Sequence, residues 1–119
     1  MSEARVADCL FCRIVTGEIP AAKVHEDDAV LAIRDIVPRA PTHILLFPKA
    51  HIASAADLTP ADGELLGRVF GAAAELAREE GIAERGYRIV TNVGAWGGQS
   101  VDHLHFHLMG GRAFEWPPG

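Results

Sequence analysis

The chain has 119 residues and a mass of 12.8 kDa, which suits one compact domain, so we expect a single domain over residues 1–119. Apolar residues make up 49% of the chain and charged residues 23%, a balance typical of a soluble globular protein and too apolar for a disordered one. A net charge of -5 argues against a broad cationic surface and so against a nucleic acid polymer as partner, although backbone amides can still hold a single phosphate.

The N-terminal residues and the lengths of the apolar runs predict where the protein resides. Residues 1–5 lack the charged and then apolar layout of a secretion signal. The longest apolar runs, such as residues 44–47, are far shorter than the roughly 20 residues of a membrane helix. We therefore expect a cytoplasmic protein with no membrane contact. In that reducing compartment Cys9 and Cys12 are expected to be metal ligands or free thiols rather than a disulfide.

The first predicted elements are a short helix and two strands. Apolar residues between Leu10 and Val15 follow a helical period that ends near Gly17 and Pro20. Two β-favouring runs follow, at residues 29–33 and 43–47, each bounded by aspartates or prolines. These runs predict two antiparallel neighbouring strands.

The longest predicted element is a helix that Thr59 caps, with Pro60 in its first turn and Gly81 as its stop. One helical face is apolar and comprises Leu65, Leu66, Val69, Phe70, Ala73, Leu76 and Ala77. Two further strands are predicted at residues 87–92 and 103–109, separated by a glycine-rich loop. The fold class is therefore α+β: a roughly five-stranded antiparallel sheet, a short N-terminal helix, and one long helix on one sheet face, with the other face left for a partner or ligand.

Histidines alternate with bulky apolar residues between His103 and Met109. On a strand, His103, His105 and His107 share one face at intervals of about 7 Å, while the residues between them enter the core. A histidine tag is contiguous and terminal, whereas this series lies within a strand pattern. The spacing predicts a row of imidazoles beside a pocket.

A row of imidazoles suits chemistry at phosphorus. A neutral imidazole, with an unperturbed pKa of about 6.5, can attack with one nitrogen while a hydrogen bond holds the other. We expect His105 to be the nucleophile and His107 to donate to the phosphoryl oxygens or the leaving group. The alternative is a metal site at His105 and His107, which needs a third ligand that no acidic residue of this strand supplies.

The glycine-rich loop at residues 92–100 permits close approach of backbone amides to an anion. Such a loop alone is more often a turn, but its position before the histidine row favours a phosphate cradle. Ser100 is the candidate donor to the leaving group. Asp35, just after a strand, can accept the two ribose hydroxyls, although by itself it is typical of a surface turn.

Taken together, these motifs resemble the histidine triad family, specifically its Hint branch of nucleoside phosphoramidases. The matching stretches, which cover nearly the whole chain, are Cys-Leu-Phe-Cys at 9–12, Ala-Pro-Thr-His at 40–43, Pro-Lys-Ala-His at 48–51, Gly-Gly-Gln-Ser at 97–100, the histidine row, and Trp-Pro-Pro-Gly at 116–119.

The resemblance implies an activity. His105 would form a nucleotidyl-histidine intermediate that water hydrolyses, assisted by His107, His43, Ser100 and Gln99. The substrates implied are purine nucleoside 5′-phosphoramidates, in which AMP or GMP is joined to an amine, lysine or aminoacyl group, and no catalytic metal is required. Histidine at position 107 favours a hydrolase over the family's transferase branch, which carries glutamine there.

The resemblance also implies binding roles. Asp35 is placed at the ribose, and Asn92 and the Gly98 backbone near the phosphate. Five apolar residues, which would otherwise be assigned to the core, are placed around the purine: Phe11, Ile14, Ile19, Ile33 and Ile36. Val37 stands where related chains can have a serine, which removes one hydroxyl contact to the ribose and can loosen nucleoside selectivity.

The spacing of Cys9 and Cys12 is that of zinc ligands, and His51 with His103 could complete a Cys2His2 tetrahedron. Free buried thiols are the alternative. Bacterial relatives use such a site, and zinc held by four protein ligands would be structural, since no coordination position remains open.

The tail at residues 114–119 contains two large aromatic residues that some surface should cover. The resemblance implies a twofold homodimer joined across the long helix and the adjacent strand, with the tail and Trp116 reaching the other subunit's pocket. Two alternatives to a phosphoramidase stay open: a nucleotide-binding or interaction module with vestigial activity, and a metal-dependent phosphohydrolase.

Overall fold

The computed structural model describes residues 6–119, so residues 1–5, on which the expectation about a secretion signal rests, lie outside the described part. In chain order the elements are α1 (Leu10–Val15), β1 (Lys23–Glu26), β2 (Val30–Arg34), β3 (Thr42–Pro48), two short 3-10 turns (Ala55–Asp57 and Pro60–Asp62), α2 (Gly63–Glu79), β4 (Tyr87–Val90), α3 (Gly94–Gly97) and β5 (Phe106–Gly110). Within residues 6–119, no helix has the length and apolar content of a membrane span.

The five strands form one antiparallel sheet in the order β1-β2-β3-β5-β4. β3 is buried along its whole length because it pairs with β2 on one side and β5 on the other. The predicted α+β class and the antiparallel pairing of the second and third strands are confirmed. β1 was not predicted, since its sequence Lys-Val-His-Glu gives little apolar alternation.

The long helix α2 packs on one face of the sheet. Its side of the core contains Leu104, Phe106 and Leu108, which alternate with the histidines, together with apolar residues from α2 and from the facing sides of β2 and β3. Burying apolar surface of this kind contributes about 25 cal/mol per Å². The opposite face carries the second cluster, where α1 lies on β2 and β3 and the rings of Phe11 and Phe47 stack at 4.4 Å.

The start of the long helix differs from the prediction. Thr59 caps the 3-10 turn Pro60–Asp62 in a capping box with Asp62, and α2 itself begins only at Gly63. Phe70, predicted on the core face, is 46% exposed, although its ring edge meets Phe106. The C-terminal end of the helix is as predicted: α2 ends at Glu79, and Gly81 follows it with a positive φ of 74°.

The last two predicted strands are shorter than expected. β4 ends at Val90 rather than at residue 92, and β5 begins at Phe106 rather than at residue 103. Residues 103–105 are instead held by contacts outside the ladder: Leu104 N–H donates to the Ile52 carbonyl, and the Thr91 hydroxyl donates to the His105 carbonyl at 2.8 Å. The histidine row therefore straddles the start of a strand.

Candidate active site and metal cluster

The three imidazoles of the row lie on the α1 side of the sheet, while the residues between them enter the α2 side of the core. The ring of His105 lies 5.2 Å from that of His107, and the Phe11 ring meets the edges of both His103 and His105. The predicted alternation is thus present although only His107 belongs to β5.

The protonation of His105 is fixed by the backbone of His103, two residues before it. Its Nδ1 lies 2.7 Å from the His103 carbonyl oxygen, which can only accept, so Nδ1 carries the proton. In the neutral ring the lone pair is then on Nε2. His105 is only 4% exposed, so its ring is held in place, and its Nε2 has the free lone pair that a nucleophile needs.

A second hydrogen-bond chain fixes His107. The Arg39 backbone N–H donates to His43 Nδ1 at 3.0 Å, so the proton of neutral His43 is on Nε2. That Nε2–H donates to His107 Nδ1 at 2.8 Å, which leaves His107 with its proton on Nε2. His105 and His107 therefore hold opposite tautomers, one offering a lone pair and the other a donor.

Burial keeps His43 and His107 neutral. Desolvation is the main reason why the pKa of His107 falls to about 4, and the neighbouring His105 and His43 lower it further. Desolvation also lowers the pKa of His43, with the Arg39 charge adding to the effect and the Asp35 charge opposing it. Both rings are thus neutral near pH 7.

Asp35 reaches the histidines from the end of β2. One carboxylate oxygen lies 3.4 Å from His43 Nε2, and the other accepts from the Val37 N–H at 2.8 Å. Asp35, His43 and His107 place three potential metal donor atoms within 4.8 Å of one another, a grouping that the sequence pattern of one strand could not reveal. A metal there would need the Nε2 lone pair of His43, and so would cost the hydrogen bond from Arg39 N–H to Nδ1.

An apolar depression of about 310 Å³ lies between α1 and β2. Its lining includes all the residues assigned to the purine and the ribose: Phe11, Ile14, Ile19, Ile33, Ile36 and Asp35. Ile36 is 95% exposed although it is apolar. A second depression of about 330 Å³ is lined by His43, Asn92 and His107, and His105 lies between the two, in ring contact with both Phe11 and His107.

The glycine-rich loop contains the short helix α3, which was not predicted. Gly98 closes it with a φ of 86°, and an added Cβ there would meet the Asn92 side chain. The Gln99 side chain bonds within the loop and to the Ala53 carbonyl, so it holds the loop in place. Ser100 is exposed and lines a depression with His51, and in the part of the chain from residue 6 onwards no hydrogen bond joins it to His105 or His107.

The predicted zinc ligands Cys9, Cys12, His51 and His103 converge behind α1, with their four donor atoms within 4.8 Å of one another. The distances are 3.2 Å from Cys9 Sγ to His103 Nδ1 and 3.4 Å from Cys12 Sγ to His51 Nδ1. Neighbouring donors around tetrahedral zinc lie about 3.5 Å apart.

The protonation of the cluster also suits a metal. His103 Nε2–H donates to the Pro48 carbonyl at 2.7 Å, which turns the Nδ1 lone pair towards the thiols. Burial raises the pKa of the Cys9 thiol, an effect that a bound cation would reverse. The residues therefore fit zinc, and α1 would be tied to the sheet through its N-cap residue Cys9.

The tail lies beside the second depression. Two cations pack against one ring there, with the Arg112 guanidinium 4.2 Å and the Arg88 guanidinium 5.1 Å from the Phe114 ring centre. Trp116 is 83% exposed, and in the described part of this chain it makes no ring contact with the histidines. The arginines were not predicted as site residues, since no local motif marks them.

Comparison with known proteins gives consistent matches. A family model for the HIT domain matches residues 16–114. The chain is 47% identical to the purine nucleoside phosphoramidase of Escherichia coli, over 88% of each chain, and 49% identical to an uncharacterised HIT-like protein of Synechococcus elongatus, over 94% of this chain and 97% of the other. A crystal structure of a HIT family hydrolase from Legionella pneumophila superposes with a TM-score of 0.92 at 54% identity, covering 94% of this chain and all of that one.

Proposed function

The chain belongs to the HIT domain family, and on that premise we propose that it hydrolyses the P–N bond of purine nucleoside 5′-phosphoramidates through a nucleotidyl intermediate on His105. The observation that carries the proposal is the pair of opposite tautomers, with a lone pair on His105 Nε2 and a donor on His107 Nε2. Residues from α1, β2, β3 and β5 contribute to the site, so we propose that it belongs to a single domain.

The first step is displacement at phosphorus. The His105 Nε2 lone pair forms a bond to phosphorus as the P–N bond to the amine breaks. The leaving nitrogen keeps the electron pair of that bond and takes a proton from solvent, through a water or the Ser100 hydroxyl. The ring gains positive charge, which the hydrogen bond from Nδ1–H to the His103 carbonyl stabilises.

The second step returns the enzyme to its starting state. Water attacks phosphorus, the P–Nε2 bond breaks, and its electron pair returns to His105. The proton of the water goes to solvent, and the nucleoside monophosphate leaves. In both steps His107 Nε2–H donates to a phosphoryl oxygen, with His43 holding that ring in the required tautomer.

The nucleoside is positioned by the two depressions on either side of His105. The apolar one takes the base, the Asp35 carboxylate accepts from the ribose hydroxyls, and the phosphate reaches His107, Asn92 and the Gly98 backbone. The phosphorus then lies over His105. Purine preference follows from the area of apolar lining that a two-ring base covers.

Zinc in the Cys9, Cys12, His51 and His103 cluster would hold α1, and with it Phe11, against the sheet. With four protein ligands it leaves no open position for substrate. His103 is also the residue whose carbonyl orients His105, so the cluster supports the site through the backbone.

The decisive experiment combines mass spectrometry with one variant. The wild-type protein mixed with an adenosine 5′-phosphoramidate should show an AMP adduct on the peptide that contains His105. We expect His105→Asn to lose the adduct and at least about a thousandfold of turnover, as removal of a nucleophile does, while it still binds AMP. The same substitution at His25, on β1 away from the site, is the matched control.

The alternatives predict different results. An interaction module with a vestigial site would bind AMP equally in both proteins and show no adduct in either. A metal-dependent phosphohydrolase using Asp35, His43 and His107 would lose turnover in a chelator while it stays folded. Either result would refute covalent catalysis by His105.

A further inference from the structure

The depression beside His107 carries an unusual charge. It has a volume of about 330 Å³, and three arginines, Arg39, Arg88 and Arg112, line it together with His43 and His107. No aspartate or glutamate is among its lining residues. The surface next to the reacting centre is therefore cationic in a chain whose net charge is -5.

What sets these three arginines apart is that they lie together, since the lack of an ion pair is not peculiar to them. Arg13, Arg34 and Arg68 each form an ion pair with a carboxylate, whereas among residues 6–119 Arg78 and Arg85 form none. Among residues 6–119, no carboxylate lies within ion-pair distance of Arg39, Arg88 or Arg112. Their charge is thus left for something outside the chain.

The charge is also held in place. The Arg112 guanidinium donates to the carbonyls of Arg39 and Ala113 and lies over Phe114. Arg88 donates to the Glu115 carbonyl, and its guanidinium lies 5.1 Å from the centre of the same ring. Carbonyl oxygens and a ring face fix a guanidinium without neutralising it. The Arg39 side chain bonds to nothing in the described part of the chain, so all its donors are available.

We propose that this depression binds an anionic group carried by the leaving amine, so that the preferred phosphoramidates are those of amines that bear a carboxylate or a phosphate-like group. The inference rests on the proposed function, because the leaving amine must lie next to His107. Guanidinium is the side chain best matched to such oxyanions. Arg39 is assigned as the main specificity-determining residue.

The test uses substrates that differ only in charge. AMP is joined through phosphorus to the amine of 3-aminopropanoate, of its carboxamide, and of 2-aminoethylphosphonate, and the set is repeated with spacers two carbons longer. We expect kcat/KM for the carboxylate to exceed that for the carboxamide by about fivefold, the scale of a solvent-exposed ion pair, and the ratio to fall with added salt. The phosphonate arm shows which of the two anions the arginines favour.

The variant Arg39→Gln should bring the ratio of carboxylate to carboxamide close to one; because the ratio is taken within one variant, any effect of the lost charge on His43 changes both substrates alike and cancels. Arg78→Gln, which removes an exposed arginine near the end of α2, is the matched control and should keep the wild-type ratio. Equal kcat/KM for charged and neutral substrates at both spacer lengths in the wild type, or an unchanged ratio in Arg39→Gln, would overturn the subsite. Failure of the proposed function is distinct, since none of the substrates would then be cleaved.

Discussion

At the scale of single residues, the site depends on which nitrogen of each imidazole carries a proton. The His103 carbonyl and the Arg39 N–H are backbone groups, and they set His105 and His107 in opposite tautomers. Histidine spacing in the sequence predicts that the rings share a face, but it cannot assign protons. The assignment comes from the bend at residues 103–105 and from the turn that brings Arg39 to His43.

The low pKa of His107 predicts a pH dependence of stability. Because its pKa is about 4 in the folded protein and about 6.5 when unfolded, the unfolded chain binds more protons between these values. The contribution is present above pH 6.5 and is lost as the pH falls towards 4. NMR of the imidazole Cε1–H signals should show His107 titrating near pH 4.

The matching thermodynamic measurement is urea unfolding across this range. After allowance for the solvent-facing part of the ring, about 2 kcal/mol should be lost between pH 7 and pH 4 through this residue. His107→Gln should flatten that part of the profile. A His107 signal that titrates near pH 6.5 would contradict the neutral donor.

At the scale of elements, apolar periodicity predicted what depends on local pattern: α1, the face of α2 and the central strands. Apolar periodicity did not predict the structure where contacts with residues distant in the chain determine the backbone. Residues 103–105 leave the ladder because Ile52 and Thr91 hold them, and β1 is a strand because β2 pairs with it rather than because of its own residues. Asp35 joins His43 only through the pairing of β2 with β3, so the acidic neighbour was missed in the reasoning from one strand.

Glycine at the end of β5 is required by packing. A Cβ added at Gly110 would lie 2.6 Å from Ile82 Cδ1 and 2.9 Å from its Cβ, so Ile82 cannot avoid it by rotation alone. We expect Gly110→Ala to lower the free energy of unfolding by about 1–3 kcal/mol, the usual cost of overpacking. Chemical denaturation measures the change.

The control is another glycine with free space around it. An added Cβ at Gly67, on α2, meets nothing within 4 Å. Gly67→Ala should leave stability unchanged or raise it by up to about 1 kcal/mol, because alanine favours helix. Equal effects of the two substitutions would show that the contact with Ile82 relaxes freely.

At the scale of the whole molecule, the sheet separates stability from chemistry. α2 covers one face with a continuous apolar core, and α1 leaves the histidine face open to the two depressions. β4 is left as an edge strand of the sheet and carries the exposed Tyr87, and α2 carries the exposed Phe70. An unprotected edge and apolar side chains are typical of a surface that another chain covers.

We therefore predict a homodimer joined at β4 and α2. Sedimentation equilibrium should give about twice the chain mass of 12.8 kDa. Phe70→Lys should shift the protein towards monomer by placing a charge in the interface, and Glu75→Gln on the same helix, which also changes the net charge by +1, controls for the change of charge. A wild-type protein that stays monomeric at micromolar concentration would contradict the dimer.

Metal removal tests how the cluster behind α1 supports the whole domain. Zinc bound at a thousand times its Kd would stabilise the fold by about 4 kcal/mol, since the unfolded chain has no preformed tetrahedron. A chelator should therefore lower the melting temperature, and zinc, but not magnesium, should restore it; Cys12→Ser should reproduce the loss without a chelator. Turnover by protein that remains folded should continue, because Cys9, Cys12, His51 and His103 leave no ligand position for substrate. If the chelator stops turnover while the melting temperature stays the same, the metal acts in the reaction rather than in the fold. If the chelator changes neither turnover nor the melting temperature, the four side chains hold no metal.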